Sequence, residues 1–223
     1  MTEFIPAAEL KKKYHVKGRF YILTEKNLKI KCRSLLTIED TTASGKKKLL
    51  VVMLNPGSSR PLTKTYKEAL VSTSRINELE KIPLIDSKPD ITQYQIMRVM
   101  HKLIFSNAYI INLYDVREPK SRILFDNAKK EKIQDEASIF SDTRKAELKK
   151  YFTSDTTVIL AWGNIKSIFE TEKKAIKKIE HLADKIYSVR SSDNIICHPS
   201  PQNHNFKIRW LDSMIGQLIK AGS

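Results

Sequence analysis

Four short apolar runs limit what this chain can fold into. They are Leu49-Leu50-Val51-Val52-Met53-Leu54, Ala108-Tyr109-Ile110-Ile111, Thr157-Val158-Ile159-Leu160-Ala161-Trp162 and Asn194-Ile195-Ile196-Cys197. None alternates apolar with polar residues, as a strand with one wet face would. Continuous runs rich in β-branched residues suit strands buried on both faces, the environment of a parallel sheet. Helical patterns lie between them. Tyr94, Met97, Val99, Met100, Leu103 and Ile104 recur at helical spacing within Gln93 to Phe105. Ile165, Ile168, Phe169, Ile176, Ile179, Leu182 and Ala183 form a stripe from Ile165 to Ala183. Trp210, Leu211, Met214, Ile215, Leu218 and Ile219 make an amphipathic helix from Phe206 to Ile219. Strands alternating with helices imply βαβ units.

The expected fold class is therefore α/β: a three-layer α/β/α arrangement around a central four-stranded, mostly parallel sheet. Arg19 to Ile22 and Leu28 to Cys32 read as a hairpin around Glu25, Lys26 and Asn27, an N-terminal antiparallel addition at an edge. The 223 residues are expected to form a single domain, with residues 1–48 as extension and 49–223 as core. The charged stretch from Arg117 to Asp142 reads as loop and short helix.

Charge narrows the partners. Lys and Arg number 40 against 25 Asp and Glu, a formal net charge of +15. A polyanionic partner follows, nucleic acid being the commonest; the competing reading is lysine on solvated helix faces. Lys46, Lys47 and Lys48 read equally as solvated loop or as phosphate contacts. Cys32 and Cys197 lie far apart and outside any metal-ligand spacing, so no metal, cofactor or disulfide framework is expected. The sequence has neither the apolar run of a signal peptide nor a span of about 18 apolar residues, so a cytoplasmic protein without a membrane partner is expected.

Each apolar run ends in a polar cluster: Asn55-Pro56-Gly57-Ser58, Asn112-Leu113-Tyr114-Asp115-Val116-Arg117, Gly163-Asn164 and His198-Pro199-Ser200-Pro201-Gln202-Asn203-His204. In open α/β sheets the ligand crevice lies outside the carboxyl ends of the strands. Four parallel strands would bring all four clusters to one crevice. Taken singly, Asn-Pro-Gly is a common turn, Asn112 could cap one, and Trp162-Gly163 could be a core residue and a strand exit. His198 within a loop stiffened by two prolines is the more specific signal.

In combination and in order, Met53-Leu54-Asn55-Pro56-Gly57-Ser58, Ile110-Ile111-Asn112-Leu113, Ala161-Trp162-Gly163 and His198-Pro199-Ser200-Pro201 resemble the uracil-DNA glycosylase-like superfamily. The nearest resemblance is to a bacterial and phage family, domain-of-unknown-function family sixteen forty-three. It covers Leu49 to the C-terminus and implies a uracil-DNA glycosylase-like fold. It also implies that Asn55 positions the attacking water, Asn112 reads the edge of a flipped base, and His198 stabilises the leaving base. Gly57, Ser58 and Ser200 would bind substrate, and Ser200 with its neighbours would pinch the DNA backbone. Tyr66 is the aromatic nearest the position that stacks on the base, and Gln202 stands where an apolar wedge commonly fills the emptied stack. Asp115 and Arg117 lie outside the glycosylase pattern; they read as a pair ordering the loop, or as readers of a substrate other than uracil. Gly163, Asn164 and His204 complete the candidate crevice.

The resulting expectation is a metal-independent N-glycosidase acting on a modified, damaged or deaminated base, with DNA favoured over RNA as partner. Two alternatives stay open: a non-catalytic nucleic-acid-binding module, and an enzyme or sensor for a free nucleotide.

Overall fold

The computed structural model describes residues 3–43, 47–120, 133, 135–163 and 169–221. The chain begins with helix α1 (Ala7–Lys13) and the long hairpin β1 (Tyr14–Glu25) and β2 (Leu28–Asp40). Strand β3 (Lys48–Met53) follows, then β4 (Ala69–Ser72), a 3-10 helix (Thr73–Lys81) and β5 (Ile85–Asp86). Next come α2 (Ile91–Leu103), β6 (Asn107–Asn112), α3 (Lys145–Lys150), β7 (Thr157–Leu160), α4 (Phe169–Glu180), β8 (Ile186–Tyr187) and α5 (His204–Lys220). All eight strands share one sheet, in the order β4-β1-β2-β6-β3-β7-β8, with β5 pairing to β1.

The sheet is mixed and larger than the four-stranded, mostly parallel core expected from the sequence. Strands β6, β3, β7 and β8 are parallel neighbours, whereas β2 runs antiparallel to both β1 and β6. The hairpin is consequently an integral part of the sheet. Its outer strand is itself covered by the short β4 and β5.

Three of the four apolar runs are central strands, because both faces of each are covered. Leu50, Val52, Ile111, Val158 and Leu160 pack with Leu148 of α3 and with Ala175 and Ile179 of α4. Leu49, Val51, Met53, Ala108, Ile110 and Ile159 pack on the other side with Val99 and Met100 of α2 and with Leu211 and Met214 of α5. The fourth run, Asn194 to Cys197, is not a strand of this sheet. It makes an isolated bridge between Arg190 and Ile196, and β8 takes the place beside β7. Asn194 has φ of 60°, which interrupts an extended chain, while Ile196 is buried without a ladder. Of the run only Ile196 is buried, while Asn194 is exposed and Ile195 and Cys197 are half-buried, so it marks one core side chain and not a strand covered on both faces.

Helix α2 starts where local chemistry places it. The Asp90 carboxylate accepts from the N–H groups of Thr92 and Gln93, and the Gln93 side chain accepts from the Asp90 N–H, a reciprocal capping box. Residues 164–168 lie outside the described residues, and the expected helix over 165–183 is observed from Phe169 to Glu180. Of the stretch from Arg117 to Asp142, residues 121–132 and 134 lie outside the described residues. Lys46 does too. Lys47 donates to the Leu103 carbonyl and lies over the Phe105 ring, while Lys48 opens β3, at the opposite end of that strand from the polar clusters. No helix among the described residues is long and apolar enough to cross a membrane.

Candidate active site

A cleft of about 890 Å³ opens at the carboxyl ends of β3 and β7 and beneath the N-terminus of α2. Asn55, Gly57, Ser58, Gly163, His198 and Ser200 all line it, so three of the four polar clusters meet as expected. The parallel β3, β6 and β7 bring their following loops to one end, and the crossover from β3 to β6 starts α2 at that same end.

Asn55 is held by the loop that follows β6. Its amide nitrogen donates to the carbonyls of Val116 at 3.2 Å and of Glu118 at 2.7 Å. Two carbonyl acceptors require the NH2 end of the amide there, which fixes the side-chain orientation. The Oδ1 atom is the remaining polar group of the side chain. A carboxylate at this position would face two carbonyl oxygens with no proton to offer either. This local demand accounts for an amide and not an acid at position 55.

His198 is held from two sides. Its Nδ1 accepts from the backbone N–H of Ser200 at 3.1 Å, so the proton of the neutral ring sits on Nε2. Burial pushes its pKa below the usual histidine value, which keeps the ring neutral at pH 7. Gly163, with φ of 87°, leaves β7 directly against it. The Trp162 indole is buried beside them, and neither its Nε1 nor the Ser200 Oγ finds a partner among the described residues. The site thus presents a neutral N–H donor on one wall and the Asn55 carboxamide oxygen on another. Such a pair can hold a polar ligand edge and orient water.

A third feature was not legible as a site residue. Arg33 lines the cleft although it is 2% exposed. It comes from the N-terminal hairpin, where the register of β1 and β2 slips between Arg19 and Phe20 and leaves Ser34 without a Cα partner. A bulge of this kind re-aims the neighbouring side chain. The guanidinium makes no ion pair or side-chain hydrogen bond among the described residues, and its buried Nε is without a partner. Burial lowers its pKa to about 10, while Asp90 and Asp115 act in the opposite direction, so it stays cationic at neutral pH.

The other expected site residues are placed elsewhere. Asn112 is fully buried at the end of β6, opposite Met53, and neither Nδ2 nor Oδ1 has a partner among the described residues. Met53 and Ile110 line the cleft, and Asn112 shares the sheet face of Ile110, so this unpaired amide sits just beneath the cleft floor. Tyr66 lines a separate cavity of about 740 Å³. Gln202 is exposed, and His204, in the first turn of α5, packs edge-on against Phe4. Asp115 and Arg117 are not a pair. Asp115 accepts from Tyr21 and pairs with Arg144, which also binds Glu147, all in the core. Arg117 pairs with Glu68 and lies over the Phe20 ring. Asn164 is outside the described residues. No group of three or more His, Cys, Asp or Glu side chains able to hold a metal ion occurs among the described residues.

A family model described as "Protein of unknown function (DUF1643)" matches residues 85–200, just over half of the chain. That segment runs from β5 through Ser200 and carries much of the cleft wall; Arg33 and Asn55 precede it. No curated protein and no solved structure matches the chain.

Proposed function

The chain belongs to the DUF1643 family, and from its cleft we propose that it hydrolyses the N-glycosidic bond of a nucleotide unit bearing a modified, damaged or deaminated base, in DNA or free. In that reaction the electron pair of the C1′–N bond leaves with the base, water adds to the sugar carbon, and the proton the water sheds passes through solvent to the departing base. Negative charge builds on the base in the transition state, so a preorganised neutral donor aimed at it lowers the barrier. His198 supplies that donor through Nε2–H. The Asn55 Oδ1 orients the water but takes no proton, so the chemistry is slower than a carboxylate base would allow.

The observation that carries this reading is the hydrogen bond from the Ser200 N–H to His198 Nδ1, because it commits the opposite ring nitrogen to donation. The net charge of +15 is in keeping with a phosphate-bearing substrate. The absence of a general base at position 55 favours a second reading, a binding module that holds the same ligand without turnover.

One experiment separates the two. The purified protein is incubated in EDTA with oligonucleotides and nucleotides carrying uracil, hypoxanthine, oxidised, alkylated and hypermodified bases, and free base and abasic sites are measured. Release that disappears in both Asn55→Ala and His198→Ala supports hydrolysis. Binding without release from any base overturns it and leaves the binding module.

A further inference from the structure

Arg33 has almost no exposure and no bonded anionic partner among the described residues. Withdrawing a guanidinium from water is costly unless a carboxylate or phosphate meets it. Arg144 in the same protein illustrates the satisfied case, with both Asp115 and Glu147 on it. Arg33 is equally sealed, borders the cleft and has neither. Two nearby acids favour the cation through space but do not bond to it. Asp90 Oδ1 caps α2, and Asp115 Oδ2 is held by Arg144 and Tyr21, while the buried Asp115 Oδ1 has no hydrogen-bond partner among the described residues. The neighbouring Arg117, which would repel Arg33, is neutralised by Glu68.

The strand order sets where this charge lies relative to the rest of the site. Arg33 belongs to β2 and Gly163 leaves β7, carrying His198 against it, with β6 and β3 between. Three inter-strand spacings put the backbones of β2 and β7 roughly 14 Å apart. The cleft between them has the volume of a small-molecule pocket.

We infer that Arg33 is the anion-binding residue of this cleft and takes the terminal phosphate of a free nucleoside monophosphate whose base lies toward His198. A phosphodiester within a strand is flanked by sugars on both sides and stays near the surface. A terminal phosphate can descend to a buried guanidinium, which binds it through two parallel N–H···O bonds. The inference shares with the proposed function the premise that the cleft holds the ligand, but it does not require bond cleavage.

Calorimetric titration of the full chain tests it, using inorganic phosphate, the four common 2′-deoxynucleosides, their 5′-monophosphates and a DNA duplex. At least one monophosphate binds ten or more times tighter than its nucleoside. Arg33→Met removes that advantage, and without ligand its Tm equals or exceeds that of the wild type, because an unpaired buried charge has been replaced by an apolar chain. Arg33→Lys, which keeps the charge but loses the planar fork, falls between the two. Asn55→Ala and His198→Ala keep the phosphate advantage even where base release is lost or never observed, so failure of the hydrolytic reading leaves this one standing. Equal affinity for nucleoside and monophosphate, unchanged binding by Arg33→Met, or a sharp fall in the ligand-free Tm of Arg33→Met each overturns it. So does tight binding of duplex alone.

Discussion

A Cβ on Gly163 would stand 3.2 Å from the Cβ of His198. The exit of β7 and the histidine loop are therefore fitted to one another through the missing side chain of a glycine, and the histidine ring is placed by that contact as well as by Ser200. Gly163→Ala adds a left-handed backbone strain and pushes His198 out of place. The expected destabilisation is about 1–3 kcal/mol, with loss of ligand binding. Gly57→Ala is the control, since Gly57 also has positive φ (59°) but a Cβ there meets nothing within 4 Å. Gly57 lines the cleft too, so the two variants are separated by the ring and not by binding: both should lower Tm in denaturation, but Gly163→Ala alone should displace His198, readable in its ring NMR shifts.

The His198 ring should titrate below the ordinary histidine range. Its folded pKa is depressed by burial, so between that value and about 6.5 the unfolded chain binds more protons than the native one. Stability from this group thus falls as pH drops through that window and is unaffected above it. Ring proton shifts measured by NMR across pH 4–8 should place the His198 midpoint below the ordinary histidine value. The neutral form should carry its proton on Nε2.

Asn55→Asp should not make a better enzyme. The carboxylate would meet the Val116 and Glu118 carbonyls, losing two hydrogen bonds and adding repulsion. A loss of about 1–3 kcal/mol is expected, readable as a lower urea midpoint, together with release of the 116–118 loop. Asn55→Ala should be milder in stability and equally inactive in base release.

Arg144 should matter far more to stability than to ligand binding. It is fully buried between Asp115 and Glu147, with a further bond to the Ala137 carbonyl. Arg144→Met leaves two buried carboxylates without their cation and should cost about 3–5 kcal/mol. Disrupting the exposed Lys178–Asp142 pair should leave Tm close to that of the wild type. Equilibrium denaturation of both variants checks the contrast.

Much of the core was legible because burial on two faces leaves a local trace. The runs at Leu49, Ala108 and Thr157 became β3, β6 and β7, and the periodic stripe after Gln93 became α2, with ends set by Asp90 and by Ile104 in a left-handed conformation. Six of the expected site residues reached one cleft because they follow parallel strands or the loop after β8. Asp115 was ambiguous for a physical reason: a carboxylate after a strand looks the same in sequence whether it meets solvent or a buried arginine 29 residues later. Tyr66, Gln202 and His204 were near the right segments, but their side chains end up in another cavity or on the surface.

By itself the sequence determined three segments buried on both faces, the periodic stripe of α2, and the polar clusters that end those strands, because these depend on neighbours along the chain. Pairing across the chain was decided only by the tertiary structure. A two-residue strand at Ile186–Tyr187 took the position beside β7 that the longer run at Asn194 left vacant, since Ile196 could be buried without a ladder. The hairpin became a central part of the sheet by pairing β2 with β6. With that pairing and the bulge at Ser34, Arg33 was carried from an apparent edge to the cleft wall. No local pattern encodes that position, because it depends on contacts between residues far apart in the chain.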